Sequence, residues 1–214
     1  MKVIDVIAMA QLQAEEVYDD PTWIQYINAA LNDLTPIAKI LKSKDEIAVT
    51  ATAGIGKIDI ISDTDLVAAH EILTTYYKTG TDTLRQLRRI PMSDNASEGW
   101  KLTTSEIIMQ NIAESGTARV DYYKKLQHVK STSEDIETTS GLPSQYHNLL
   151  VLYALAKSQQ KEEELNDKND AYTEYLMGKQ QMGVDRIWEM EPHNRKYIKK
   201  ARIAMLLGGG GQQG

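Results

Sequence analysis

The sequence predicts an α+β protein: an α-helical bundle interrupted by an antiparallel β insertion, with a C-terminal extension helix and a flexible tail. Three observations predict it. Apolar residues recur at helical spacing over about the first 41 residues and again after residue 142. Between them the period falls toward two, in short runs separated by turn residues. The chain ends in Gly208 to Gly211 and Gln-Gln-Gly, which holds no fixed conformation by itself. The corresponding segments are residues 1–43 (N-terminal bundle helices), 44–129 (β-rich insertion), 142–184 (C-terminal bundle helices) and 185–214 (C-terminal docking extension and Gly-rich tail).

Val3, Ile7, Ala10, Ala14 and Val17 form the stripe of a first helix, with acids opposite. Asp20 is placed to cap a second, with Pro21 at its first position and Trp23, Ile27, Leu31, Leu34, Ala38 and Leu41 continuing the stripe. Pro36 lies inside it, so the helix is expected to kink or to restart with Thr35 as a new cap. From Lys44 the alternation of Ile47, Val49 and Ala51 reads as a strand, and Ala53-Gly54-Ile55-Gly56 as a hairpin turn. Further strand-like runs are Ile72 to Tyr77, Leu84 to Ile90, Trp100 to Leu102, Ile107 to Gln110 and Ala118 to Lys125, whose spacing suggests an antiparallel meander.

Residues Val129 to Gly141 are rich in Ser and Thr and read as a loop or linker. Leu142-Pro143-Ser144 opens a helix carrying Tyr146, Leu149, Leu150, Tyr153 and Ala154. An acidic turn at Glu162 to Glu164 introduces another with Leu165, Tyr172, Leu176 and Lys179. The last segment, Glu191 to Leu207, opens on Pro192 and carries five bases with no acid after Glu191.

Length and charge bound the function. A chain of 214 residues buries a sizeable core without staples. The 24 bases against 30 acids give a net charge of −6, which argues against a generally basic nucleic-acid binder. Cysteine is absent, which excludes disulfides, thiolate metal sites and Cys nucleophiles. Phenylalanine is absent too, so 11 Tyr and 3 Trp supply the aromatic surface, each with a polar handle suited to interfaces. No targeting or membrane segment is expected, since Val3 to Ala10 is broken by Asp5 and followed by acids. A soluble cytosolic protein is the default.

No motif carries chemistry. Residues 51–58 approach a phosphate loop, but Ala51 stands where the first glycine belongs and Ile58 where a hydroxyl must bind magnesium. His70, His128, His147 and His193 are scattered without metal-ligand spacing, and a Gly-x-Ser-x-Gly elbow is missing. Asn95-Ala96-Ser97 reads as a loop tip rather than a glycosylation site. The expectation is no enzyme, no cofactor and no metal. The basic C-terminal segment, with Tyr197, Ile198, Ile203, Leu206 and Leu207 interleaved, is the strongest feature and reads as a docking element for a partner.

Two stretches carry a family resemblance. Val3 to Asp19 followed by Trp23 to Leu34, and Leu142-Pro143-Ser144-Gln145-Tyr146 through Ala156 followed by the helix with Tyr172 and Tyr175, together resemble the head-tail adaptor (connector) proteins of tailed bacteriophages. The resemblance implies a structural protein of the virion neck, made in the host cytoplasm. Its copies would form a dodecameric ring below the portal protein, with the tail or the next connector protein on the other side and DNA passing only as cargo. It implies a portal contact at Arg195, Ile198, Lys199, Lys200, Arg202, Ile203, Leu206 and Leu207, and places Tyr146, Tyr153, Trp23 and Leu31 in the bundle core. Channel-facing acids would then include Asp19 and Asp20, since an acidic lumen repels phosphate. Two other readings stay open: a cellular helical protein-binding module without catalysis, and a hydrolase with a dispersed His-carboxylate metal site.

Overall fold

The computed structural model describes residues 1–14, 16–159 and 170–190. Its first helix, α1 (Val3–Gln11), buries Val3, Val6, Ile7 and Ala10. The predicted stripe ends there, because Val17 lies beyond the helix and is 93% exposed. Helix α2 (Asp20–Ala38) buries Trp23, Ile27, Leu31, Leu34 and Ala38. Its cap is one residue earlier than expected: the Thr22 amide donates to Asp19 Oδ1 at 3.1 Å, so Asp20 occupies the first turn.

Pro36 neither restarts nor splits α2. It stands in the last turn, where one missing amide costs little, and the Thr35 hydroxyl donates back to the Leu31 carbonyl at 2.9 Å instead of capping a new helix. The helix stops two residues later, with Lys39 at φ 44°. Leu41, expected on the helical stripe, belongs to the first strand and is 52% exposed.

The described chain forms two units, residues 1–38 with 127 onward and residues 39–126. The expectation of a helical bundle carrying a β insertion is corrected here. Among the described residues seven strands build two antiparallel sheets with a hydrophobic core of their own, so the fold is mixed and sheet-rich beside five α-helices. The strands are β1 (Ile40–Val49), β2 (Ile55–Asp59), β3 (Ala69–Lys78), β4 (Arg85–Leu87), β5 (Gly99–Leu102), β6 (Glu106–Gln110) and β7 (Gly116–Lys124).

Nor is the topology a meander. One sheet has the order β1-β7-β3-β4 and the other β2-β6-β5, so β1 pairs with the most distant strand in sequence. The register of β1 on β7 shifts between Lys44 and Ile47, where Glu46 takes φ 57° in a bulge. Period-two burial is clear in β7, where Ala118, Val120 and Tyr122 face the core.

Two features join the sheets. The Thr52 and Ile55 backbones exchange hydrogen bonds of 2.9 and 3.0 Å across Ala53 (φ 50°) and Gly54 (φ 80°), a type I′ turn linking β1 to β2. After β4 the chain reaches β5: the Trp100 amide donates to the Arg88 carbonyl and the Ile90 amide to the Trp100 carbonyl, both at 2.9 Å. Gly99 is required at this seam, since a Cβ there would sit 2.4 Å from the Arg88 carbonyl oxygen. The seven strands thus run round one core centred on Trp100, Tyr77, Ile107 and Met109.

The stretch from Val129 to Gly141, expected to be a loop or linker, is a loop as far as Asp135, packed into the helical unit, and then a short helix. Asn28 clamps Val129, its amide donating to the Val129 carbonyl and its oxygen accepting from the Val129 amide, both at 2.9 Å. Asp135 caps the short helix α3 (Ile136–Ser140), which ends on Gly141 at φ 81°. The Asp135 carboxyl is held below the ordinary carboxylate value by the Thr138 amide and then by the Met1 ammonium group at 3.3 Å.

Helix α4 (His147–Ser158) is buried almost all round, with α1, α2 and α5 (Asp170–Met190) against it. Tyr146, Tyr153, Trp23 and Leu31 are buried in this unit. The predicted acidic turn and Leu165 lie outside the described residues, while Tyr172, Leu176 and Lys179 fall on α5, Leu176 being 40% exposed rather than packed.

A polar node joins α2 to α5. The fully buried Tyr175 donates its hydroxyl to Asp33 Oδ2 at 2.5 Å, and Lys179 Nζ donates to the same oxygen at 2.7 Å. Burial, reinforced by the Asp33 carboxylate, raises the Tyr175 hydroxyl well above its ordinary value, so it is a permanent donor. Tyr153 meets the Tyr175 ring edge-on at 5.0 Å between centroids, and Tyr172 stacks on it at 6.1 Å.

Tyr175→Phe is expected to cost about 1.5 kcal/mol, a hydrogen bond to a charged group, and Asp33→Ala about 2–3 kcal/mol because it leaves the buried hydroxyl unpaired. The double variant should cost clearly less than the sum, measured by urea denaturation. Additive costs would show that the node does not act as a unit.

Candidate assembly surfaces

The near phosphate loop and two of the four histidines take structural roles, while His70 is exposed on β3 and His193 lies outside the described residues. The 51–58 segment is the type I′ turn described above, with glycine serving backbone geometry. His128 Nε2 lies 2.8 Å from Asn32 Oδ1, and the buried His147 Nε2 lies 2.9 Å from the Leu142 carbonyl oxygen, so these two rings fasten loops to helices. Among the described residues no group of three or more His, Asp or Glu could hold a metal ion, and no helix is long and apolar enough to cross a membrane.

Concave surface is found in both units. In the helical unit a groove of about 550 Å³ runs between α4 and α5, with Tyr146, Leu149 and Leu152 on one wall and Glu174, Gly178, Gln181 and Asp185 on the other. Gly178 sets the spacing, since a Cβ there would lie 2.4 Å from Leu149 Cδ2. Asp185 is oriented by Gln181 Nε2 at 2.7 Å and by the Tyr146 hydroxyl at 3.4 Å. Met177 shares the helix face of Glu174 and Gln181 and is 68% exposed. Among the described residues no basic side chain lines the groove.

The β unit carries a second groove, of about 380 Å³, where β4 leaves β3 to reach β5. Arg88 and Arg89 line it, the Arg89 guanidinium lying 5.3 Å from the Trp100 ring centroid. Arg85 is held apart in an ion pair with Glu98.

Asp19 and Asp20 stand side by side at the start of α2, both exposed. Asp19 has a local task as well: the hydrogen bonds from Thr22 hold its carboxyl below the ordinary value. Arg195, Ile198, Lys199, Lys200, Arg202, Ile203, Leu206 and Leu207 all lie outside the described residues. Neither groove is singled out by the sequence. The one signal was the recurrence of Glu174, Gly178, Gln181 and Asp185 at spacings of four, three and four, a polar stripe with a glycine in it.

The model of one protein family, described as SU10 adaptor protein, matches residues 1–195. The chain belongs to the SU10 adaptor protein family. A search of curated proteins finds no match. Membership bears out the resemblance to phage head-tail adaptors and makes the chain a structural adaptor component of a phage virion, associated with other virion components. The match spans both structural units, so the β unit is as much part of the adaptor as the helices. It stops at Arg195, the first of the eight residues expected at the portal.

Proposed function

We propose that the protein joins the DNA-filled head to the tail as a ring, twelvefold by the family resemblance, seated below the portal protein in the virion neck. The family match over residues 1–195 carries this reading and favours it over a cellular binding module or a hydrolase. The tail or the next connector protein occupies the opposite side, and DNA passes through without a chemical step. The structural roles of His128, His147 and the Thr52–Ile55 turn support a protein that works by assembly.

The portal contact is the basic C-terminal segment, through Arg195, Lys199, Lys200 and Arg202 with Ile198, Ile203, Leu206 and Leu207 as its apolar anchors. Residues 192–207 hold five bases and no acid, and residues 1–20 hold one base against five acids. Opposite signs at the two ends suit a subunit that meets different partners on its two sides.

A chain ending at Glu191 should keep its far-ultraviolet spectrum and its cooperative melting yet lose sedimentation with DNA-filled, tail-less heads. Undiminished co-sedimentation would remove the C-terminal segment from the portal contact.

Asp19 and Asp20 supply negative charge toward the channel in this reading. Asn caps a helix about as well as Asp, so Asp19→Asn with Asp20→Lys changes the charge while sparing α2. Particles carrying that variant should eject DNA more slowly, because attraction to phosphate replaces repulsion. Unaltered ejection kinetics would place these acids away from the DNA.

A further inference from the structure

We propose that in the unassembled protein the basic C-terminal segment folds back into the α4–α5 groove of its own chain. The groove and the segment are complementary in three respects. Glu174 and Asp185 give the groove acidic ends with no base among its described lining residues, whereas the segment carries Arg195, Lys196, Lys199, Lys200 and Arg202 without an acid. Leu149, Leu152 and the exposed Met177 offer apolar surface to Ile198, Ile203, Leu206 and Leu207.

Length and position also agree. The groove wall on α5 runs from Glu174 to Asp185, about 16 Å of helix, and residues 195–207 as a helix span about 20 Å. Helix α5 ends at Met190, five residues past Asp185, and the link Glu191-Pro192-His193-Asn194 reaches about 13 Å, enough to turn back beside a neighbouring helix axis. An antiparallel return sets Arg195 and Lys196 at the Asp185 end and brings Leu206 and Leu207 past Leu152 and Met177.

Attachment in the same chain selects this occupant over a neighbour's segment. A tether this short holds the segment at an effective concentration in the millimolar range, above that of free subunits. The consequence rests on the proposed portal contact: the segment that docks on the portal is sheltered until the portal competes for it, so its apolar residues are not exposed on free subunits.

The absence of cysteine makes the test clean. Asn148→Cys lies on the groove wall, and Ala201→Cys lies on the segment outside the residues assigned to the portal. In the full-length chain this pair should form an intramolecular disulfide about tenfold faster than a control pair of Ala201→Cys with the exposed Lys130→Cys, at a rate unchanged by dilution. Adding Asp185→Lys should slow it about threefold, the size of an exposed ion pair, because Asp185 is the acid that the return sets against Arg195 and Lys196. Equal rates for the two pairs, or disulfides formed only between chains, would overturn the fold-back. Heads distinguish the second reading: the oxidised chain should not bind tail-less heads until it is reduced. Binding that ignores the lock would overturn the portal contact and leave the fold-back intact.

Discussion

Burial of α4 is the constraint on which the helical unit depends. This helix is apolar nearly all round, with His147, Leu150, Tyr153, Ala154 and Ala156 among its enclosed residues, so it is stable only when surrounded. The helices around it come from both ends of the chain, α1 and α2 ahead of the β unit and α5 after it. The ends must therefore meet before any helix is secure, and the contacts at the meeting point are specific ones: Asn28 on Val129, Met1 on Asp135, Asp33 on Tyr175 and Lys179. Long-range closure of this kind carries a loop-entropy cost, which a β unit with its own core reduces by bringing residues 39 and 126 into one folded body.

The β unit solves a different problem. Short strands leave open edges, and two small sheets would leave four of them. Here Arg88 to Ile90 bonds to Trp100 at one seam and the Thr52–Ile55 turn spans the other, so the two sheets enclose one core. The arginine groove beside Trp100 follows from the same seam, because it opens where β4 departs from β3.

Much of this was legible in the sequence where the determinant is local. The apolar stripe of α2, the strands around Trp100 and Ala118, and the helix opening at Leu142 follow from periodicity alone, and the structure holds them within a few residues. What was illegible depended on distance. Period two tells which face of a strand is buried and not which strand it pairs with, so a meander was expected where β1 pairs with β7. The predicted bundle with a β insertion failed for the same reason: sequence showed short strands but not the shared core that makes them a sheet-rich unit. Residues 129–141 read as a loop or linker, which holds as far as Asp135; the helix after it was hidden because Ser, Thr and Asp serve turns and caps equally, and here Asp135 caps a helix. The α4–α5 groove left only the polar stripe of Glu174, Gly178, Gln181 and Asp185 as a signal, because its spacing depends on Gly178 meeting Leu149 of another helix.

Fold, family and charge distribution converge on an adaptor that works by contact. Electron microscopy of DNA-filled, tail-less heads mixed with the purified protein tests that claim most directly. The account predicts added ring-shaped density below the portal, closing around the DNA exit, into which both structural units fit. Heads that remain bare at a saturating excess of protein would contradict it.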